Sequence, residues 1–430
     1  MNSSADRGVT TDHISRRALL GGAAAAAGSF VLGTVPDGAA AQQGPASVPD
    51  IGQPGPVVAA DPTKTLGAPT TALSGRSPFV ATGRTPTGAV SGGSLTPLHQ
   101  FTGNITPTDL QFERHHAGVP AIDPSSYRLL VHGLVERESI FTLDDLTSLP
   151  SVTRQHFLEC SGNGRAGYKA PKPQLSPQNI DGLLCNAEWT GVPLSTVLHE
   201  VGVTAAAEWV LAEGGDAALL SRSIPLAKLR DDALLVYAQN GEPLRPPAGY
   251  PVRLLLPGWE GNTSIKWLRR LEFNREPNMS KDETSRYTDP LPNGTARMFS
   301  FELDAKSTIT YPTYPVTLVR KGWVQISGLA WSGRGRITAV DVSTDGGASW
   351  VEAELQGTPL PKAAIRFSLL WKWDGAAATL MSRAVDETGY VQPTLAVFRA
   401  ARGPGTDYHY NHIRSWNVGA NGVVLYGGDA

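Results

Sequence analysis

The sequence predicts a two-domain, strand-rich protein: a mixed α and β domain over residues 94–293, then a β-sandwich over 294–430. Three observations predict it. A chain of 430 residues is too long for one small core. Its 46 glycines and 33 prolines require many turns and favour strands over helices. Beyond residue 293, short alternating runs recur with turn signals between them, whereas strand-like and helix-like runs interleave before it. The formal net charge of -2 leaves no footprint for nucleic acid or an anionic membrane surface. Two cysteines cannot build a disulfide framework or a Cys-rich zinc or iron–sulfur site. Any electron chemistry therefore needs a cofactor held mostly by other contacts.

Residues 1–41 read as an export address. Ser15-Arg16-Arg17 precedes a weakly apolar run from Ala18 to Val35, and Ala39-Ala40-Ala41 offers a small-residue cleavage site. A twin arginine before such a run looks like a Tat signal. The other reading, a membrane anchor, suffers from the run's Ala and Gly content. The expectation is export to the periplasm as a folded protein, with no span in the mature chain. Residues 42–93 are rich in Pro, Gly, Ala, Ser and Thr and read as a linker or extended surface arm.

Order is expected from about Pro97. Arg114-His115-His116 is either a solvated loop or an anion site, since arginine offers oxyanions a bidentate fork. Tyr127 to Gly133 alternates as a strand, Phe141 to Leu149 reads as a short helix, and Trp189 to Leu194 leads into a helix to about Val201, stopped by Gly202. His156-Phe-Leu-Glu-Cys160-Ser-Gly-Asn-Gly-Arg165 ends a strand near Leu158 and then turns on Gly162 and Gly164. A lone cysteine there fits a buried structural thiol, or a reachable one beside a cation. Arg253 in Tyr250–Gly258 and Lys266 in Ser264–Leu268 are charges inside apolar runs, and each needs a carboxylate, carbonyls or an anionic ligand. In the second half, Asp345-Gly346-Gly347 joins two strands as a hairpin, and even short-strand spacing suggests a sandwich. Cys185 reads as an ordinary thiol, the five tryptophans Trp323, Trp331, Trp350, Trp371 and Trp373 as sandwich core or dimer contacts, and His409 and His412 as part of a surface tail.

Six motifs together carry a resemblance. Phe112-x-Arg114-x-His116 with Val119-Pro120, Asp123-Pro124 and Tyr127 resembles the opening motif of the sulfite oxidase family of molybdenum enzymes. Leu158 to Arg165 resembles that family's molybdenum-cysteine loop. Glu213-Gly214-Gly215-Asp216, Pro251-Val252-Arg253 and Lys266-Trp267-Leu268 resemble its pterin-contact segments, and Ala330 to Ser343 its C-terminal dimerisation domain. Phe301 to Ser307, Arg383 to Pro393 and Tyr408 to Asn411 with Ser415-Trp416 are similar to the sulfane/sulfite dehydrogenase branch found in bacterial Sox sulfur oxidation.

The resemblance implies an α+β molybdopterin-binding domain followed by an immunoglobulin-like β-sandwich dimerisation domain. It implies molybdenum bound by molybdopterin and by the Cys160 thiolate, with Arg165 favouring the ionised thiol. Arg253 and Lys266 would offset the cofactor phosphate, with Arg165 and His116 adding donors, and Asp216 would accept from the pterin. Arg114 would hold a sulfur oxyanion, and Tyr287 would hydrogen-bond oxygen on the metal. The implied reaction oxidises carrier-bound sulfane sulfur or sulfite and passes electrons to a separate c-type cytochrome; the implied assembly is a homodimer. A free-standing sulfite dehydrogenase is the alternative, and a methionine sulfoxide reductase a further one that residues 307–400 argue against. Two positions depart from the pattern: Ala248 stands where vertebrate members carry a histidine, and Gly164 replaces a second loop arginine.

Overall fold

The computed structural model describes residues 66–291 and 293–429. The twin-arginine segment and the arm up to residue 65 lie outside the described residues. The described residues fall into two units, 66–81 and 82–429. In the first, residues 66–81 are exposed and form no strand or helix. The second holds the whole of the folded chain discussed below.

Strand structure starts earlier than the composition suggests. β1 (Thr85–Pro86) pairs with β2 (Gly93–Leu95), and β2 pairs with β3 (Glu113–Arg114). The Pro- and Gly-rich stretch had shown no alternation. Its strands form because a partner some twenty residues downstream supplies the hydrogen bonds, which local composition cannot report.

The first domain has two sheets. One has the order β11 (Glu242–Pro243), β10 (Leu234–Gln239), β7 (Leu184–Pro193), β6 (Val152–Glu159), with β12 (Arg253–Leu255) also on β10. The other runs β5 (Ser139–Phe141), β4 (Leu129–Gly133), β13 (Leu268–Asn274), β8 (Trp209–Gly214), β9 (Ser221–Pro225). Leu129, Val131, Val192, Val210, Leu254, Leu271 and Phe273 share one core. Helices α1 (Leu143–Ser148) and α4 (Leu194–Val201) form as expected. Thr142 and Asp145 close a capping box on α1, and Gly202 at φ 66° ends α4 in a left-handed turn. Between these, α2 (Arg165–Lys169) and α3 (Pro177–Asp181) follow the cysteine loop, and α5 (Leu226–Asp231) follows β9.

The second domain is a sandwich. One sheet has the order β16 (Lys306–Tyr311), β17 (Gly322–Trp331), β21 (Ile365–Trp373), β20 (Glu354–Leu355). The other has β19 (Val351–Glu352), β18 (Ile337–Ser343), β22 (Ala378–Asp386), β23 (Arg414–Val418), β24 (Val424–Asp429). Alternate residues Ile326, Val340, Phe367, Leu380 and Trp416 meet between the sheets. The tail expected at the surface is part of this fold. His409 and His412 are buried: pairing of β23 with β22 carries them inward, and His409 bonds Asp304 at 2.8 Å. The apolar run Val316–Val319 makes only an isolated bridge, from Thr317 to Val423. Among the described residues no helix is long and apolar enough to cross a membrane.

Candidate functional site

Six stretches of chain, around residues 111–116, 158–160, 214–220, 247–253, 261–267 and 287, converge on a cavity partly open to solvent. Its wall includes Arg114, His116, Cys160, Asp216, Arg253, Lys266 and Tyr287, residues spread over more than 170 positions of sequence. β6 delivers Cys160 at its C-terminal end, where the Cys160 amide bonds the Leu183 carbonyl at 3.0 Å. The preceding Glu159 is buried and accepts from Lys306 (2.8 Å), Asn163 (2.8 Å) and Trp331 (2.7 Å), so the second domain grips the root of the loop. Cys160 is half-buried. Desolvation pushes its thiol above the ordinary value, against the Gly162 amide and the Arg114 charge. Arg114 shares the cavity wall with this sulfur, and Arg165 does not.

Arg165 is the one expected site residue that the fold keeps out of the wall. Gly164 at φ 103° caps α2 and turns the next side chain away. Arg165 is half exposed; it donates to the Asp407 carbonyl at 2.8 Å and lies 5.7 Å over the Tyr408 ring. Tyr408 in turn meets Tyr287, ring to ring, at 5.4 Å. Arg165 therefore borders the mouth at one ring's remove. A Cβ on Gly164 would run into the Arg414 guanidinium and Tyr410, so no side chain fits there.

Two cations are held with little counter-charge. Arg253 is 4% exposed, gives one bond to the Ala248 carbonyl at 3.1 Å, and its Nε has no hydrogen-bond partner among the described residues. Burial pulls its guanidinium down to about 10. At the Ala248 departure, then, a backbone carbonyl meets Arg253. Lys266 bonds the carbonyls of Arg114 (3.1 Å) and Pro247 (3.2 Å) and His115 Nδ1 (2.7 Å). Burial, then Arg253, push its ammonium well below the ordinary value, with Asp216 opposing. An anion in this cavity would relieve both groups.

The histidine pair has a defined protonation. His115 accepts from Lys266 on Nδ1 and therefore donates from Nε2 to Glu113 at 2.6 Å. Burial, with Arg114 and Arg286, lowers His116 to about 4, so its ring is neutral. Arg286 donates to His116 Nδ1 at 3.0 Å. The proton then sits on Nε2 and is donated to the Tyr287 hydroxyl at 3.0 Å. Tyr287 keeps its own O–H proton to offer to the cavity, and burial raises its pKa far above the ordinary phenol. Its backbone is left-handed at φ 52° and donates to the Tyr408 hydroxyl at 3.1 Å.

Sequence reasoning missed Asn262, Glu260 and Arg222. Asn262 lines the cavity and donates to the buried Glu260 at 2.9 Å. Arg222 is 1% exposed and donates to the Asn262 oxygen. The signal was present: Arg222 leads into the apolar Ile224-Pro225-Leu226, a cation beside an apolar run like Arg253 and Lys266. Cys185 is buried, with its thiol pushed up to about 12, consistent with an inert core thiol.

An oxidoreductase molybdopterin binding domain matches residues 116–281, and a Mo-co oxidoreductase dimerisation domain matches 297–415. The crystal structure of the sulfane dehydrogenase SoxCD from Paracoccus pantotrophus superposes with a TM-score of 0.78 at 44% identity, covering 85% of this chain and 98% of that one. Sulfite oxidase of Gallus gallus is 34% identical over 315 residues, which cover 67% of this chain and 68% of that protein. The chain belongs to the sulfite oxidase family of molybdenum enzymes. Mouse mitochondrial sulfite oxidase is 33% identical over 344 residues, 73% of this chain; the chain spans 62% of that relative's length. The expected order of a molybdopterin-binding domain and an immunoglobulin-like sandwich is the order this family member has.

The wall also fits the family's cofactor on its own terms. Among the described residues no group of three His, Cys, Asp or Glu side chains could hold a metal. A metal here must bring most of its donors with it, leaving one protein thiol to complete the set. A phosphorylated pterin bears the negative charge that Arg253 and Lys266 lack. Asp216, 5% exposed and on the same wall, supplies an acceptor for ring N–H groups.

Proposed function

We propose that this chain oxidises a reduced sulfur compound, carrier-bound sulfane sulfur or sulfite, and passes the electrons to a c-type cytochrome. One observation carries the reading: a single half-buried thiol, Cys160, shares a cavity with Arg114, Arg253, Lys266 and Tyr287. Cys160 would be the protein's one ligand to molybdenum. Arg253 and Lys266 would hold the molybdopterin phosphate, and Asp216 its ring. When bound, the cofactor supplies oxygen-atom transfer and takes up two electrons. The chain's residues position the substrate. Arg114 holds a sulfur oxyanion by a charge-assisted bond, and Tyr287, oriented by His116, donates a second bond beside it. The Tyr408 ring packs against Tyr287 and helps to hold it in place.

Exposed Trp323 (61%) and Leu370 (52%), on the paired strands β17 and β21, support a homodimer through the sandwich. The twin-arginine segment supports export to the periplasm through Tat. Protein made in cells that assemble molybdopterin should carry stoichiometric molybdenum, and Cys160→Ser should lose it while keeping its circular dichroism. Cytochrome c reduction should then follow addition of sulfite or of a persulfidated carrier protein, and comparing the two rates assigns the substrate. Metal-free wild-type protein, or molybdenum retained by Cys160→Ser, would refute the reading.

A further inference from the structure

Gly164 leaves the cysteine loop one cation short of the pattern it resembles, and the fold leaves no room for a side chain there. A different buried cation stands behind the opposite wall. Arg222, on β9, is 1% exposed, and its Cζ lies 5.1 Å over the ring of Tyr287. Its NH1 donates to Asn262 Oδ1, and Asn262 is itself part of the cavity wall. The buried Glu260 acts on it through charge, and its ion-pair partner Glu283 is 3.5 Å away. That carboxylate is already shared among the Ser223 amide, the Ser223 hydroxyl at 3.0 Å and the Ser280 amide at 3.0 Å. Arg222 Nε has no hydrogen-bond partner among the described residues. The guanidinium is therefore only partly compensated, and it sits against two wall residues at once.

We infer that Arg222 is a positioning and specificity-determining residue for an oxyanion in this cavity, acting through Tyr287 and Asn262. A cation on the face of a phenol ring is attracted to its π electrons, holds that ring in place and makes its O–H a stronger donor. Here His116 already donates to that oxygen, so the ring has one orientation in which its own O–H points at the cavity. The charge reaches the ligand without a direct contact. It replaces by distance what a loop arginine would supply by contact, and it favours ligands with a diffuse or smaller charge over compact dianions.

The inference rests on the proposed role of Tyr287, and its test separates the two. In molybdenum-loaded protein, Arg222→Gln keeps a donor toward Asn262 but removes the charge. The variant should keep wild-type molybdenum content and near-ultraviolet circular dichroism, and raise KM for sulfite about tenfold with a smaller change in kcat. Arg222→Lys should restore most of the loss. In the Tyr287→Phe background, Arg222→Gln should raise KM by clearly less than it does in the wild type, because only the route through Asn262 remains. Sulfate, which cannot be oxidised, should bind the Arg222→Gln protein about tenfold more weakly by calorimetry, a readout independent of turnover. An unchanged KM and sulfate affinity, full additivity with Tyr287→Phe, or loss of molybdenum in Arg222→Lys would overturn it. Absence of sulfite turnover in wild type counts against the proposed substrate; the sulfate series still decides the role of Arg222.

Discussion

Lys306→Met is expected to destabilise the protein at neutral pH by about 3 kcal/mol. Lys306 is 2% exposed and joins the second domain to the cysteine loop. Its ammonium lies 2.8 Å from Glu159 and 3.0 Å from Asp181. Methionine fills similar space but leaves two buried carboxylates short of a counter-charge. Breaking a buried pair from one side costs about 3–5 kcal/mol. Both carboxylates keep other partners here: Glu159 has Trp331 and Asn163, and Asp181 takes two 2.8 Å bonds from Arg414. The loss therefore falls at the low end of that range. Its pH dependence is also set. Burial would raise the Asp181 carboxyl, but Arg414 and then Lys306 overcome this and hold it at about 2, against an unfolded value of 3.8. A carboxyl depressed in the folded state contributes stability above its unfolded pKa, and that contribution fades as pH falls toward the folded one. The deficit in Lys306→Met should be full at pH 7 and shrink below pH 4. Urea unfolding followed by tryptophan fluorescence at both pH values measures it. A loss under about 1 kcal/mol at pH 7, or one that stays constant into acid, would refute the argument.

Three further outcomes follow from buried groups. Burial raises Glu260 to about 7, so its ionisation opposes folding as pH rises from 4.5 through 7; Glu260→Gln should leave stability unchanged at pH 4.5 and increase it at pH 8, read by the same unfolding experiment. His156 is lowered to about 4, chiefly by burial, so the unfolded chain takes up its proton first and stability should fall as pH drops from 6.5 to 4; His156→Gln should flatten that slope in a pH series of unfolding curves. Gly164→Arg should not restore a cationic loop: a left-handed backbone costs a non-glycine residue about 1–2 kcal/mol, and the collision with Arg414 and Tyr410 adds to it, so molybdenum content and stability should both fall.

The sequence alone determined which residues had to be explained. Arg253 and Lys266 stand among leucines and other apolar residues, so burial without solvent was readable from their neighbours, and the search for an anion followed. The Cys160 turn was readable from its glycines, and the sandwich from evenly spaced alternating strands. Only the tertiary structure decided who meets whom. Arg165 follows Cys160 closely in sequence, yet one left-handed glycine sends it to Asp407, while Arg114, distant in the chain, shares the cavity wall with Cys160. His409 and His412 looked like an exposed tail because strand pairing with β22 leaves no local mark. Lys306 stood in a family-like run and Arg222 beside an apolar one, but neither pattern names a partner; their contacts come from side chains reaching across sheets and domains. Local pattern records the cost of desolvating each group; long-range packing chooses the partner that offsets it.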